Sequence, residues 1–361
     1  MRILVLGQTP PPYGGQSINI KKMLDAMAHA GVGHRFVRLN FSDEIQDMGS
    51  FSLKKMARLA GIFLRLLWNL LVYRPSFVYY PPAGPLMTPV LRDIVLLFPV
   101  RLFGVKRIFH FHAGGVSHIY ARCNPVLKAL YRFAYYRAEH SICLSEYGRK
   151  DAIALQSRAI HIIPSGVADI GTHPSTITGH QPFCVLFMGL CSESKGILDF
   201  IDTIRLARQD HPGITGKILG AVFSEKEKRA IEAAVAEGII RYEGVQTGPA
   251  KIGHIREAQA LLFPSFFESE NFPTVILEAF SAGLPVVATR WRGIRDQVHP
   301  AKNGFLHEVH DTKGMAASLV RLARDPQLYT GLSANARHDF ETYYTLNNFD
   351  AAIVNFYKST E

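Results

Sequence analysis

Ser265-Phe-Phe-Glu-Ser-Glu270-Asn-Phe-Pro-Thr-Val-Ile-Leu-Glu278-Ala-Phe-Ser-Ala-Gly-Leu-Pro-Val-Val-Ala-Thr289 reads as a loop, a helix and a buried strand. The helix opens at about Pro273, because proline fits the first turn and the residues after it are apolar or small. The run Pro285–Ala288 then looks like a strand covered on both faces. A second apolar run, Ala260–Phe263, precedes the loop. Strand, crossover helix and strand in this order describe one unit of a parallel α/β sheet. From Asn271 to Thr289 the only charged side chain is Glu278. A carboxylate in such surroundings needs a partner, since a buried unpaired charge costs several kcal/mol. Arg290 and Arg292 are candidate partners within the chain, and a pair of ligand hydroxyls is another. Glu270 precedes a helix start, where an acid also suits the exposed N–H groups and the dipole.

The same rhythm runs outward in both directions. Ile3–Leu6, Arg35–Leu39, Phe77–Tyr80, Arg107–His112 and His140–Leu144 read as strands separated by helix-length segments. Around Ser165–Pro182 the sequence becomes rich in Ser, Thr, Gly, Pro and His and loses periodicity. The alternation restarts at Phe183–Met188 and Gly216–Leu219. At 361 residues the chain exceeds what one hydrophobic core usually serves. The expectation is an α/β protein of two doubly wound, Rossmann-like domains, 1–170 and 171–345. Residues 346–361 read as a final helix. Ligands bind such sheets at the carboxyl ends of their strands, which places the expected site in a central cleft faced by both domains.

Charge is distributed unevenly. Residues 1–170 hold 21 Lys/Arg against 9 Asp/Glu, and the remainder 19 against 21. Between Gly49 and Ala138, thirteen Lys/Arg accompany one acid, Asp93. A field of this sign attracts anionic partners such as lipid headgroups, phosphorylated lipids or nucleic acid. Cys123, Cys143, Cys184 and Cys191 form no C-x-x-C pair and no metal-type spacing with histidine, so they read as core residues of a reducing, cytoplasmic protein. Ile3–Leu6 is too short for the apolar region of a signal peptide and reads as the first strand.

Glu270 and Glu278, spaced E-x7-E, with proline and apolar residues between them and Ala-x-x-x-Gly-x-Pro-Val-Val after, resemble the signature of the GT-B retaining glycosyltransferases of family 4, the glycosyl transferases group 1. The resemblance implies that Glu270 contacts the transferred sugar beside its anomeric carbon and that Glu278 holds the ribose hydroxyls of the nucleotide. It also implies that the final helix, residues 346–361, packs back on the N-terminal domain. In the turn Asn271-Phe272-Pro273-Thr274-Val275, backbone N–H groups of the residues other than proline would face donor hydroxyls and phosphate oxygens. Phe187-Met-Gly189-Leu-Cys-Ser-Glu-Ser-Lys195-Gly196 is similar to the family's strand–loop–helix element. Gly189 opens that loop and Lys195 would neutralise the donor diphosphate. Arg often follows this glycine in the family, and Leu190 stands there instead. Ser145-Glu146, Ile163-Pro-Ser-Gly166 and Asn303-Gly304 are smaller matches; Ser165 replaces a common Asn and Arg295-Asp296 a usual Glu.

In the N-terminal half, Gly7-Gln-Thr-Pro-Pro-Pro-Tyr-Gly14-Gly15 follows the first strand and leads into a helix at about Ser17. Gly14 and Gly15 let a phosphate or an acceptor approach the backbone, and the pattern is not the G-x-G-x-x-G of a dinucleotide site. In Ile108-Phe-His110-Phe-His112-Ala-Gly-Gly115, alternation puts both histidines on one strand face. His112, with the glycine turn after it, matches the family's sugar-contacting histidine, and His110 reads as a core residue. No third ligand stands near them in sequence and no D-x-D occurs, so no metal site is expected.

Phe51–Tyr73 combines Lys54, Lys55, Arg58 and Arg65 with Trp68 and an apolar face. Broken by Arg65 and Asn69, its apolar stretch looks too short and too charged to span a bilayer of about 30 Å, and suited to lying on one. Leu91–Arg107 has the same character. The resulting expectation is a metal-independent enzyme without cofactor that moves a sugar from a UDP- or GDP-linked donor, with retention, to a membrane-associated glycan or lipid-linked acceptor. It would serve cell-surface polysaccharide or glycolipid biosynthesis from the cytoplasm, peripherally at an anionic inner membrane face, with no nucleic-acid partner. A nucleotide-sugar epimerase on the same fold and a non-catalytic basic membrane- or nucleic-acid-binding protein are the alternatives.

Overall fold

The computed structural model describes residues 1–11, 14–40, 53–171 and 182–360. Pro12 and Tyr13 of the glycine loop, Phe51 and Ser52 of the basic helix, and most of the expected linker lie outside the described residues. The chain divides into two compact units: Met1–Ser165 with Phe349–Glu361, and Gly166–Asn348.

Six strands form the first unit's sheet: β1 (Ile3–Gly7), β2 (His34–Arg38), β3 (Phe77–Tyr80), β4 (Lys106–Phe111), β5 (His140–Cys143) and β6 (Ala159–Ile162). They lie parallel in the order β2-β1-β3-β4-β5-β6. Strand alternation divides the core in two. Leu4 and Leu6 of β1 share a cluster with Ile62, Leu66, Leu97 and Tyr135 from three helices, Leu53–Trp68, Met87–Leu102 and Pro125–Tyr135. Ile3 and Val5 face the other way, onto Met23 and Met27 of the helix Gly15–His29 and onto Phe349, Ile353 and Phe356 of the last helix, Leu346–Ser359. The last helix thus completes the first unit's hydrophobic core.

The second unit holds β7 (Phe183–Met188), β8 (Ile214–Leu219), β9 (Ile240–Tyr242), β10 (Ala260–Phe263), β11 (Val286–Thr289) and β12 (Gly304–His307). These are also parallel, in the order β12-β11-β10-β7-β8-β9. The chain winds from β7 outward to β9, then returns to the other side of β7 with β10. The carboxyl ends of β7 and β10 therefore flank the topological switch point, where loops diverge and leave room for a ligand. The corresponding point in the first sheet lies between β1 and β3.

In the basic region Lys55–Tyr73 is one continuous helix of 19 residues with mean hydropathy 1.4, longer and more apolar than the sequence reading allowed and enough by length and composition to cross a membrane. Asn69 is absorbed because its side-chain amide donates to the Arg65 carbonyl, 2.8 Å away. Ile62, Leu66 and Leu70 are nonetheless buried in the core of the first unit.

Candidate functional site

The loops after β7 and β10 meet at the second sheet's switch point. Lys195 Nζ donates to Glu270 Oε2 at 2.6 Å, with side-chain exposures of 21% and 9%. Ser265 Oγ donates to the same oxygen at 3.0 Å. The ammonium also lies 4.5 Å from the Phe267 ring centroid, a cation–π distance. Two residues 75 positions apart in the chain are thus brought together by the winding of the sheet alone. Glu270 is not the cap of the helix after it, Thr274–Ser281, whose N-cap residue is Pro273.

The loop carrying Glu270 is held from several sides. Trp291 Nε1 donates to the Phe267 carbonyl at 2.9 Å, Gln297 Nε2 to the Pro273 carbonyl at 3.2 Å, and Thr289 Oγ1 to the Ser265 carbonyl. Gly293 passes so close that a Cβ there would sit 1.6 Å from the Asn271 carbonyl oxygen. On the opposite loop, Gly196 holds φ +81° and a Cβ would lie 2.2 Å from the Pro264 carbonyl oxygen. Only glycine tolerates both the left-handed backbone and that contact. Gly196→Ala is therefore expected to destabilise the second unit by about 2–4 kcal/mol, seen as a lowered unfolding midpoint in a denaturant melt.

Asn271 and Phe272 are buried behind the loop, and the Phe272 ring stands 6.0 Å from that of Tyr344. Pro273 has no N–H, so the donors at this helix start are the backbone amides of its neighbours, Thr274 and Val275 among them. Gly189, at φ +144°, has nothing within 4 Å of a built Cβ and lies open at the end of β7. Glu278 differs from expectation. It is neither isolated nor paired with Arg290 or Arg292: both its oxygens accept from Lys251 Nζ, at 2.8 and 2.7 Å, and about a quarter of its side chain is exposed. Arg290 pairs with Glu308 and Arg292 stacks on Trp291. Sequence reading missed Lys251 because it sits 27 residues upstream, on the helix Gly248–Arg256, with no local pattern linking it to Glu278.

In the first unit, His110 and His112 do share a strand face, with ring centroids 4.0 Å apart. Tyr79 of β3 joins them, its hydroxyl 2.8 Å from His110 Nδ1 and 3.4 Å from His112 Nε2. A phenol has one proton, so it donates to one imidazole and accepts from the other. The outer nitrogens, His110 Nε2 and His112 Nδ1, are buried without a partner among the described residues. For His112 this leaves a polar atom for a ligand. Asp151, which the sequence did not single out, fixes the turn beyond His112 by accepting from Gly115 N at 2.7 Å and from Ser117 N and Oγ at 2.9 and 2.5 Å. Gly14 caps the first helix, which starts at Gly15 and not at Ser17, and Ser17 Oγ bonds Gly14 N and O at 3.0 Å each.

Burial drives the His112 imidazole down to about 3, and burial followed by the neighbouring His112 takes His110 well below its ordinary value. Both rings are neutral at physiological pH. The folded chain then binds fewer protons at these groups than the unfolded one, so stability falls as pH drops below their unfolded pKa of about 6.5. Nitrogen-detected NMR of the imidazoles should show no His112 titration between about pH 5 and 8, whereas an exposed histidine titrates there.

The profile of the family described as glycosyl transferases group 1 matches residues 182–325, the segment that contains β7 to β12 and both loops of the switch point. This segment, about two fifths of the chain, is similar to the glycosyl transferases group 1. Among curated relatives, a D-inositol 3-phosphate glycosyltransferase of Arthrobacter sp. (strain FB24) is 32% identical over 149 residues, 40% of this chain and 35% of that protein. The amylovoran biosynthesis glycosyltransferase AmsK of Erwinia amylovora is 27% identical over 170 residues, 46% and 42% respectively. The chain thus aligns with well under half the length of each. Among solved structures, Anabaena Alr3699/HepE in complex with UDP superposes with a TM-score of 0.72 at 18% identity, covering 99% of this chain and 100% of that one. At this identity the likeness shows a GT-B fold of two Rossmann-like domains.

Proposed function

We propose that this chain transfers a glycosyl group from a nucleoside diphosphate sugar to a growing glycan or a lipid-linked acceptor, in polysaccharide or glycoconjugate biosynthesis. The observation that carries the reading is the Lys195–Glu270 pair at the switch point of a group 1 domain. In the transfer, the bond between the anomeric carbon and the terminal phosphate oxygen breaks, and the acceptor hydroxyl bonds to that carbon and gives up its proton. Negative charge develops on the leaving diphosphate, where Lys195 and the N-terminus of Thr274–Ser281 can stabilise it. Glu270 is assigned to the sugar, Glu278 to the ribose, and retention follows the family's pattern. The relative in amylovoran biosynthesis favours an acceptor in polysaccharide assembly, and the UDP bound by the Anabaena protein favours a uridine donor.

A thermal-shift screen against UDP, GDP and their sugars tests the donor reading. A ligand at 100 times its dissociation constant adds about 2.7 kcal/mol of stability, so a true donor raises the melting temperature by several degrees. No shift with any nucleoside diphosphate would refute it. Activity is expected to survive EDTA, since Lys195 supplies a cation for the diphosphate; loss on chelation that Mg²⁺ restores would assign that charge to a metal.

The role carried to His112 is tested by His112→Ala, which is expected to keep nucleotide affinity and to lower kcat. Full turnover in that variant would remove His112 from the reaction. Localisation belongs to the same proposal: a cytoplasmic enzyme held at the inner face of the membrane, where a lipid-linked acceptor resides.

A further inference from the structure

Three helices cover one face of the first sheet, and their outer surface is apolar where solvent-facing helices are normally polar. On Leu53–Trp68 and its continuation to Tyr73, Leu64, Trp68 and Leu71 follow an i, i+4, i+7 stripe at 65%, 63% and 55% exposure. Leu91, Val95, Phe98 and Leu102 form the same stripe on Met87–Leu102, all exposed. Val126 and Leu130 repeat it on Pro125–Tyr135, Val126 at 71%. The inner faces of all three helices belong to one core cluster, and Phe98 packs against Phe133 across the second and third, ring centroids 5.0 Å apart. The stripes are therefore parts of one layer, fixed by the sheet beneath them.

Charge on this layer has a single sign. Asp93, the lone acid between Gly49 and Ala138, is fully buried. Its carboxylate accepts from Tyr80 and Tyr135 hydroxyls at 2.6 and 2.9 Å, from Ala83 N at 2.8 Å and from Arg92. No carboxylate of these helices reaches the surface, whereas Arg65 and Arg132 stand exposed between the apolar residues. Leucine stripes have no use on a nucleic-acid face, and dense cations oppose self-association of the same surface. Apolar stripes studded with Arg and Lys, with a tryptophan among them, suit the boundary between anionic headgroups and acyl chains.

We infer that the outer face of this three-helix layer is a docking surface for an anionic bilayer, with Trp68, Leu102 and Val126 entering the acyl boundary and Arg65 and Arg132 engaging headgroups. Lys55–Tyr73 lies on the bilayer and does not cross it, because Ile62, Leu66 and Leu70 are committed to the protein core. The inference deepens the proposed membrane location but rests on the surface and not on transfer chemistry, so the two fail separately.

The test is cosedimentation of the full chain with phosphatidylcholine vesicles, with and without about one-third phosphatidylglycerol, at low and high salt. Wild-type protein should pellet with the anionic vesicles and bind neutral ones about tenfold more weakly. The triple variant Trp68→Ser, Leu102→Ser, Val126→Ser should lose binding to anionic vesicles by at least about tenfold while keeping its melting temperature, since all three side chains are mostly exposed. Arg65→Glu with Arg132→Glu should abolish the preference for anionic lipid and leave the fold intact. Wild-type protein left in the supernatant at low salt overturns the inference. So does lipid binding unchanged in the triple variant, and so does a lipid-free oligomer that these substitutions dissociate. A nucleotide-induced thermal shift unaltered in every variant keeps the donor proposal standing whichever way the lipid result falls.

Discussion

Replacing Glu270 with glutamine should leave nucleoside diphosphate binding within about twofold of wild type and lower kcat by about a hundredfold or more. The substitution keeps the shape of the side chain and removes its charge. In the unliganded chain that charge is balanced by Lys195 at 2.6 Å and by the Ser265 hydroxyl at 3.0 Å. The diphosphate and Glu270 then compete for one ammonium. On the proposed roles, a bound diphosphate would draw Lys195 toward its phosphates and free the carboxylate to face the sugar. Glutamine at 270 holds Lys195 less tightly, so the diphosphate is not penalised, while the interaction with the positive charge that grows at the anomeric carbon is lost. Lys195→Met acts on the other partner: it removes the phosphate contact and strands a nearly buried carboxylate, so affinity for the diphosphate should fall together with stability. Isothermal titration with the nucleotide and steady-state rates with a confirmed donor–acceptor pair separate the two patterns. Wild-type turnover in Glu270→Gln would exclude the residue from the reaction.

Much of this architecture is legible in the sequence because buried parallel strands announce themselves. Phe183–Met188 and Ala260–Phe263 are apolar throughout and buried along their whole length. Three of the four edge strands do not: Ala159–Ile162, Ile240–Tyr242 and Gly304–His307 are short and half exposed, so no apolar run marks them. The small match at Asn303-Gly304 has a structural explanation in the same edge. A Cβ at Gly304 would sit 1.9 Å from the Val286 carbonyl, and Asn303 ties Gln297 to Asp339. Site legibility divides along similar lines. Glu270, Lys195 and His112 stand in local patterns that a reader of the chain can see. The Tyr79 contact to His112 and the Asp151 contacts to the turn beyond it are tertiary, and Lys251 reaches Glu278 from a helix 27 residues away. The basic helix was misjudged for a different reason: hydropathy reading counted Asn69 as an interruption, whereas its side chain is satisfied within the helix.

Glu278 is where the two ways of reading the chain differ most, and its substitution should have the largest effect on donor affinity. Glu278→Ala is expected to weaken nucleoside diphosphate binding by about 1.5–3 kcal/mol, roughly tenfold to a hundredfold, through loss of charge-assisted hydrogen bonds to the ribose. The Lys251 contact does not oppose this role. A carboxylate offers about four acceptor sites, and one ammonium bridging its two oxygens leaves others for hydroxyls. Lys251 instead fixes the orientation of the group, holding both of its oxygens. Lys251→Met should therefore weaken the nucleotide too, but by less than Glu278→Ala, because the carboxylate survives without its guide. The double variant decides between coupling and independence. If Lys251 acts through Glu278, the double variant binds no worse than Glu278→Ala alone, and the two effects are far from additive. Additive losses would mean that Lys251 touches the donor itself. An unchanged dissociation constant in Glu278→Ala would take the ribose role from this carboxylate and leave the Lys251 pair as a structural tie between the helices Gly248–Arg256 and Thr274–Ser281.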